Sequence, residues 1–214
     1  MIITYLGGES VKVQFGDTIL AFNPISKDSF LKHNKFGADI VLSGLNHKDM
    51  NGVDQVTFGD KKPFVINGPG EYEVGGVFIK GFQSESNYDK ERRINTMFSV
   101  TLEGMNICFL GAINQIELPK EADEAIDCVD VLLVPIGGDG VLDAQKAYKL
   151  AVEIGPKVII PMHYGDIEKN PAAGGALKLF TKEAGENPAP VSKLTIKRKD
   201  LEGKEAEVVI LEKE

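Results

Sequence analysis

Two short apolar runs flanking one amphipathic segment constrain this chain more than any other feature. Val129 to Ile136 reads VDVLLVPI, and Val158 to Met162 reads VIIPM. Runs this short and this rich in branched aliphatic residues suit strands covered on both faces. Between them Asp143 can cap a helix in which Ala144, Ala147, Tyr148, Ala151 and Ile154 fall on one stripe. Gly155-Pro156 ends that helix, and the second strand delivers His163 at its carboxyl end. The C-terminal half therefore reads as alternating β and α.

The N-terminal half reads differently. Met1 to Leu6, Val11 to Phe15 and Thr18 to Phe22 form a β-meander with turns at Gly7-Gly8 and Gly16-Asp17, stopped by Asn23-Pro24. A polar segment, Ser26 to Lys35, follows. Ile40, Val41 and Leu42 are a buried strand that breaks at Ser43-Gly44 into a loop carrying Asn46, His47, Lys48, Asp49 and Asn51. Such a loop, anchored on a rigid strand, is a common place for functional side chains. Further strands are expected at Phe64 to Asn67, Tyr72 to Val74, Val77 to Phe82, Thr96 to Leu102 and Asn106 to Leu110, with Gln83 to Arg93 an exposed loop. Pro119 to Ile126 and Gly175 to Ala184 read as helices, and Lys193 to Lys199 with Glu205 to Leu211 as a closing hairpin. With neither an internal repeat nor a dividing linker, residues 1–214 read as one α/β (or α+β) domain with two sheets.

Charge limits the partners. Asp and Glu number 32 against 24 Lys and Arg, a net charge of -8, which argues against nucleic acid as a general partner. No apolar run approaches the roughly 18 residues of a membrane span, and no secretory leader opens the chain. A cytoplasmic protein is expected, acting on a small molecule or another protein, with homo-oligomerisation left open. Cys108 and Cys128 flank or enter apolar segments and read as buried, reduced thiols, with a disulfide left open.

The loop after Leu42 resembles the signature of the metallo-β-lactamase fold, a strand followed by Ser/Thr-His-x-His-x-Asp-His. His47 and Asp49 match it, while Leu45 and Met50 stand at its first and last histidines. ITYLGGESVKVQFGDTILAFNP, GPGEYEVGGVFIKG, RRINTMFSV, ICFLGA, VDVLLVPIGG and VIIPMHYG are similar, in order, to landmarks of the small hydrolase-like branch of that superfamily. The resemblance implies a four-layer αββα sandwich: two mixed β-sheets with helices on the outer faces and an active site at one edge. It also implies seven metal-ligand positions. His47, Asp49 and His163 keep theirs; Leu45, Met50, Ser86 and Ala112, the last at the bridging aspartate, do not.

Losing the bridging carboxylate argues against a binuclear zinc centre, and the aliphatic and thioether replacements make the pocket more apolar. The first expectation is a homologue without metal or catalysis, acting through binding. The alternative is a hydrolase of esters, lactones or phosphodiesters with one zinc or other divalent metal on His47, Asp49 and His163. Asp49 would then be the catalytic carboxylate, and Asn23, Asn46, Asn114 or Gln115 could add oxygens. Plainer readings stand beside both: the histidines as ordinary hydrogen-bonding groups and Asp49 as a loop cap. Ile136 to Gly140 (IGGDG) reads as a structural turn rather than a phosphate cradle, because Asp139 and Asp143 repel an anion. Glu71 and Glu73 share one strand face as surface residues, and His33 reads as exposed.

Overall fold

The computed structural model describes residues 1–60, 62–164 and 173–214. Period-2 alternation builds the first sheet from the meander β1 (Ile2–Gly7), β2 (Ser10–Phe15) and β3 (Thr18–Phe22). β4 (Ile40–Leu42) and β5 (Phe64–Ile66) extend it in parallel. Leu20, Phe22, Ile40 and Leu42 point into the main core, while Ala21 and Val41 point the other way, into a small cluster with Ala38 and Val56. That outer cluster is closed by a 3-10 turn at Val53–Gln55.

The second sheet runs through β6 (Gly70–Val74), β7 (Val77–Ser86), β8 (Arg93–Leu102) and β9 (Met105–Phe109), all antiparallel to their neighbours. It continues in parallel through β10 (Val131–Pro135) and β11 (Val158–Met162). The helices among the described residues are α1 (Lys120–Ala125), α2 (Ala144–Ile154) and α3 (Ala173–Ala184). Asp143 caps α2 by accepting from the Lys146 amide, and Gly155 ends it in the left-handed region. Ala144, Ala147, Leu150 and Ala151 carry α2 into the same core that Val131 to Val134 and Val158 to Ile160 fill. The fold is thus the expected sandwich of two mixed sheets.

Four expectations are corrected. The C-terminal segments form no hairpin. β12 (Leu194–Thr195) pairs antiparallel with β1 in the first sheet, and β13 (Glu207–Val208) pairs parallel with β11 in the second. The chain end therefore straps both sheets, because the free edges of β1 and β11 offer separate templates. The segment 83–93 is not simply a loop: β7 continues to Ser86, β8 starts at Arg93, and Ser84 and Ser86 are buried between them. Of the thiols, Cys108 is buried but Cys128 is exposed, and both are free. Cys128 lies in a turn at φ 52°, with its thiol on the Asp127 carboxylate. His33 is half-buried rather than exposed.

The closing carboxyl ends of β4, β9, β10 and β11 lie along one edge of the sandwich, joined there by the β1–β2 turn. In α/β architectures that crevice is where ligand-binding groups gather.

Candidate functional site

His47 and Asp49 come from the loop after β4, and His163 from the end of β11. The side chain that touches all three is Tyr88, on a 3-10 turn (Tyr88–Lys90) between β7 and β8. Its ring meets the His47 imidazole edge-on, with centroids 5.0 Å apart, and the His163 imidazole likewise at 5.3 Å. Its hydroxyl donates to Asp49 Oδ2 at 2.7 Å. Burial, and then the hydrogen bond to Asp49, hold the phenol well above its ordinary ionisation range, so Tyr88 stays a proton donor. Ser29 Oγ donates to the other oxygen of Asp49. The Asp49 amide donates to His47 Nδ1 at 3.2 Å, and Nε2 of the same ring faces Asp89, 3.5 Å away.

On the other side, His163 Nδ1 lies 2.9 Å from Oε1 of Glu9, a carboxylate with no solvent exposure. Glu9 Oε2 accepts from Asn23 Nδ2 at 2.9 Å, and Asn23 Oδ1 accepts from the Gly44 amide at 2.7 Å. Both oxygens of this buried carboxyl group are thus engaged, as burial of a polar group requires. Asn23 is therefore committed to Glu9 and Gly44, not turned toward His47 or Asp49. Asn46 is exposed and accepts from Asn51; Asn114 is half-buried and Gln115 exposed.

The positions at which the family's other ligands were expected behave as a unit. Leu45, Met50 and Ala112 are fully buried and form an apolar cluster with Val141, and Tyr88 packs against it. Ser86 is buried and its hydroxyl accepts from the Tyr88 amide at 3.1 Å, so it starts the turn that carries Tyr88. Among the described residues, no three His, Cys, Asp or Glu side chains are placed to hold a metal ion.

Backbone conformations rare for residues with side chains concentrate here: Asn23 (φ 41°), Asp89 (55°), Lys90 (59°), Asp139 (50°) and His163 (60°). Each costs energy and persists only where the surroundings over-determine it. The IGGDG turn is one of those surroundings. A Cβ on Gly137 would lie 2.0 Å from the His163 carbonyl oxygen, and one on Gly140 2.5 Å from that of Asn87. These glycines let the turn press against both halves of the site, a structural role as expected.

Sequence reasoning missed Glu9 and Tyr88. Glu9 sits in a Gly-Gly-Glu-Ser turn with no metal-ligand spacing, and Tyr88 lies in the polar 83–93 stretch. The one available signal was a lone aromatic among charges.

Residues 2–163 match the family described as the beta-lactamase superfamily domain. The chain belongs to that family. It is similar to a metal-dependent hydrolase of Thermoplasma acidophilum, 26% identical over 173 residues that cover 71% of this chain and 75% of the relative. It is also similar to one from Bacillus cereus, 23% identical over 210 residues, 80% of this chain and 90% of the relative. Among solved structures, a metallo-β-lactamase-superfamily protein of Thermotoga maritima superposes with a TM-score of 0.75 at 28% identity, over 100% of this chain and 99% of that one. The chain is thus a member of the hydrolase-like branch of this fold.

Proposed function

We propose that this protein is a hydrolase homologue whose binuclear metal centre has been replaced by protein side chains, and that it acts as a binding protein rather than a catalyst. One observation carries the reading: Leu45, Met50 and Ala112 pack together, buried, under Tyr88. Aliphatic and thioether groups in van der Waals contact offer no hard donor and raise the cost of bringing a divalent cation near. The partner is a small molecule or a protein, and neither nucleic acid nor a membrane is proposed. The whole chain serves as one domain, since a single core cluster runs from Met1 to Leu211. Two unbridged cysteines favour a cytoplasmic setting.

A second reading has its own support. His47, Asp49 and His163 do meet around one side chain, and relatives carry the name metal-dependent hydrolase. A mononuclear hydrolase would use those three as ligands and Asp49 in catalysis. Elemental analysis of protein purified without chelator separates the two. Below about a tenth of an equivalent of metal, with no ester, lactone or phosphodiester turnover after zinc addition, supports the binding reading. About one equivalent with turnover, both abolished in His163→Ala, overturns it.

A further inference from the structure

We propose that Tyr88 is a built-in occupant of the site, filling with its own ring and hydroxyl the space through which a cation would have to reach His47, Asp49 and His163. The proposal rests on the reading that the family's metal centre is absent from this chain.

Four observations converge on it. Tyr88 contacts every retained ligand-type residue at once, two through its ring and one through its hydroxyl. Its ring lies on the apolar cluster of Leu45, Met50, Ala112 and Val141. Its hydroxyl gives Asp49 a neutral hydrogen-bond donor, so that carboxylate, already bonded to Ser29, is satisfied without a cation. Its position is held from both sides. The Tyr88 amide donates to Ser86 Oγ, the Asn87 amide donates to the Gly140 carbonyl, and Asp89 and Lys90 take left-handed conformations to finish the turn. A chance rotamer on a free loop would need none of these.

The ring and the hydroxyl have separable roles. Removing the hydroxyl alone leaves the space filled. Removing the ring leaves a void between His47, Asp49 and His163, with Glu9 still orienting His163, into which the loop carrying His47 and Asp49 can close to bring three ligand types onto one zinc ion. Zinc is the probe. Wild type, Tyr88→Phe, Tyr88→Ala and Tyr88→Val are dialysed against zinc and then buffer, and bound metal is measured. Zinc is also titrated while the histidine ring protons are followed by NMR, which is tractable with three histidines in the chain.

Wild type and Tyr88→Phe should retain less than about a tenth of an equivalent, and Tyr88→Ala at least about tenfold more, with the His47 and His163 signals shifting. Adding His163→Ala to Tyr88→Ala should remove that gain. Tyr88→Val keeps an apolar contact with the cluster and reads the same if Tyr88→Ala does not fold. Stoichiometric zinc on wild type with shifts of both histidines overturns the proposal, whatever the variants do. So does a folded Tyr88→Ala or Tyr88→Val that binds no more zinc than wild type. In that last case the metal-free reading survives and only the role of Tyr88 falls. Wild type that binds zinc and cleaves ester takes both down.

Discussion

His163 Nδ1 and Glu9 Oε1 lie 2.9 Å apart, and the two residues come from different sheets: Glu9 from the β1–β2 turn, His163 from the end of β11. The His163 amide also donates to the Gly8 carbonyl at 2.8 Å. The pair therefore ties the rims of the sandwich together at the candidate site. Asn23 and Gly44 extend the network into the loop that carries His47 and Asp49.

Glu9→Ala should destabilise the protein by about 2 kcal/mol, because it strands the buried Asn23 amide and removes the partner of the partly exposed His163 ring. Glu9→Gln should cost less than about 1 kcal/mol. Its carbonyl can accept from Asn23 and its amide can donate to Nδ1 of neutral His163, so both hydrogen bonds survive. Urea unfolding of the three proteins checks this. Equal midpoints for wild type and Glu9→Ala would mean the pair contributes nothing to holding the sheets.

The sandwich was legible because each of its signals is local. Val131 to Pro135, Val158 to Met162 and the stripe of α2 are short-range patterns, and β3, β4 and β11 fall within the residues expected. The C-terminal pairing was not legible. Two-residue strands such as Leu194–Thr195 and Glu207–Val208 carry no period, and their partners are chosen by which sheet edges lie open. The site divides the same way. His47, Asp49 and His163 stood out by residue type and spacing. The packing of Leu45, Met50 and Ala112, and the arrival of Tyr88 and Glu9 beside them, depend on contacts between segments far apart in sequence, which residue spacing does not encode.

Restoring one family-like ligand should be costly. Ala112 is fully buried among Leu45, Met50 and Val141, and its amide is already donated to Asn95 Oδ1 at 2.9 Å. Ala112→Asp would place a carboxylate in that apolar cluster, with a penalty of about 3 kcal/mol or more. Differential scanning calorimetry without metal should show a large drop in Tm. A variant as stable as wild type would show that the cluster is looser and wetter than its packing indicates.

The glycines at 137 and 138 offer a matched comparison of clash against strain. A Cβ at Gly137 meets the His163 carbonyl oxygen at 2.0 Å, so Gly137→Ala must push the end of β11 away from the turn. The expected cost is about 2–3 kcal/mol, together with altered chemical shifts at His163. Gly138 has φ +69° and nothing within 4 Å of an added Cβ, so Gly138→Ala pays only for the left-handed conformation, about 1 kcal/mol. Finding Gly138→Ala the worse of the two would contradict the close approach of turn and strand.

The thiol of Cys108 gives the protein a predictable alkaline weakness. Complete burial on β9 pushes its ionisation up to about 12 from an ordinary 9.0. In the folded state the proton is held, whereas in the unfolded chain it leaves once the pH passes the ordinary value. Below that value Cys108 contributes no pH dependence to stability. Above it the unfolded state gains by ionising, and stability falls by about 1.4 kcal/mol per pH unit until the folded thiol also ionises. Tyr5, Tyr88 and Tyr164, all raised chiefly by burial, add to the slope at higher pH. Urea unfolding across the alkaline range should therefore show falling midpoints, and Cys108→Ala, though less stable at neutral pH, should have the flatter profile just above the thiol's ordinary value. Parallel profiles for the two proteins would mean that the thiol reaches solvent in the folded state.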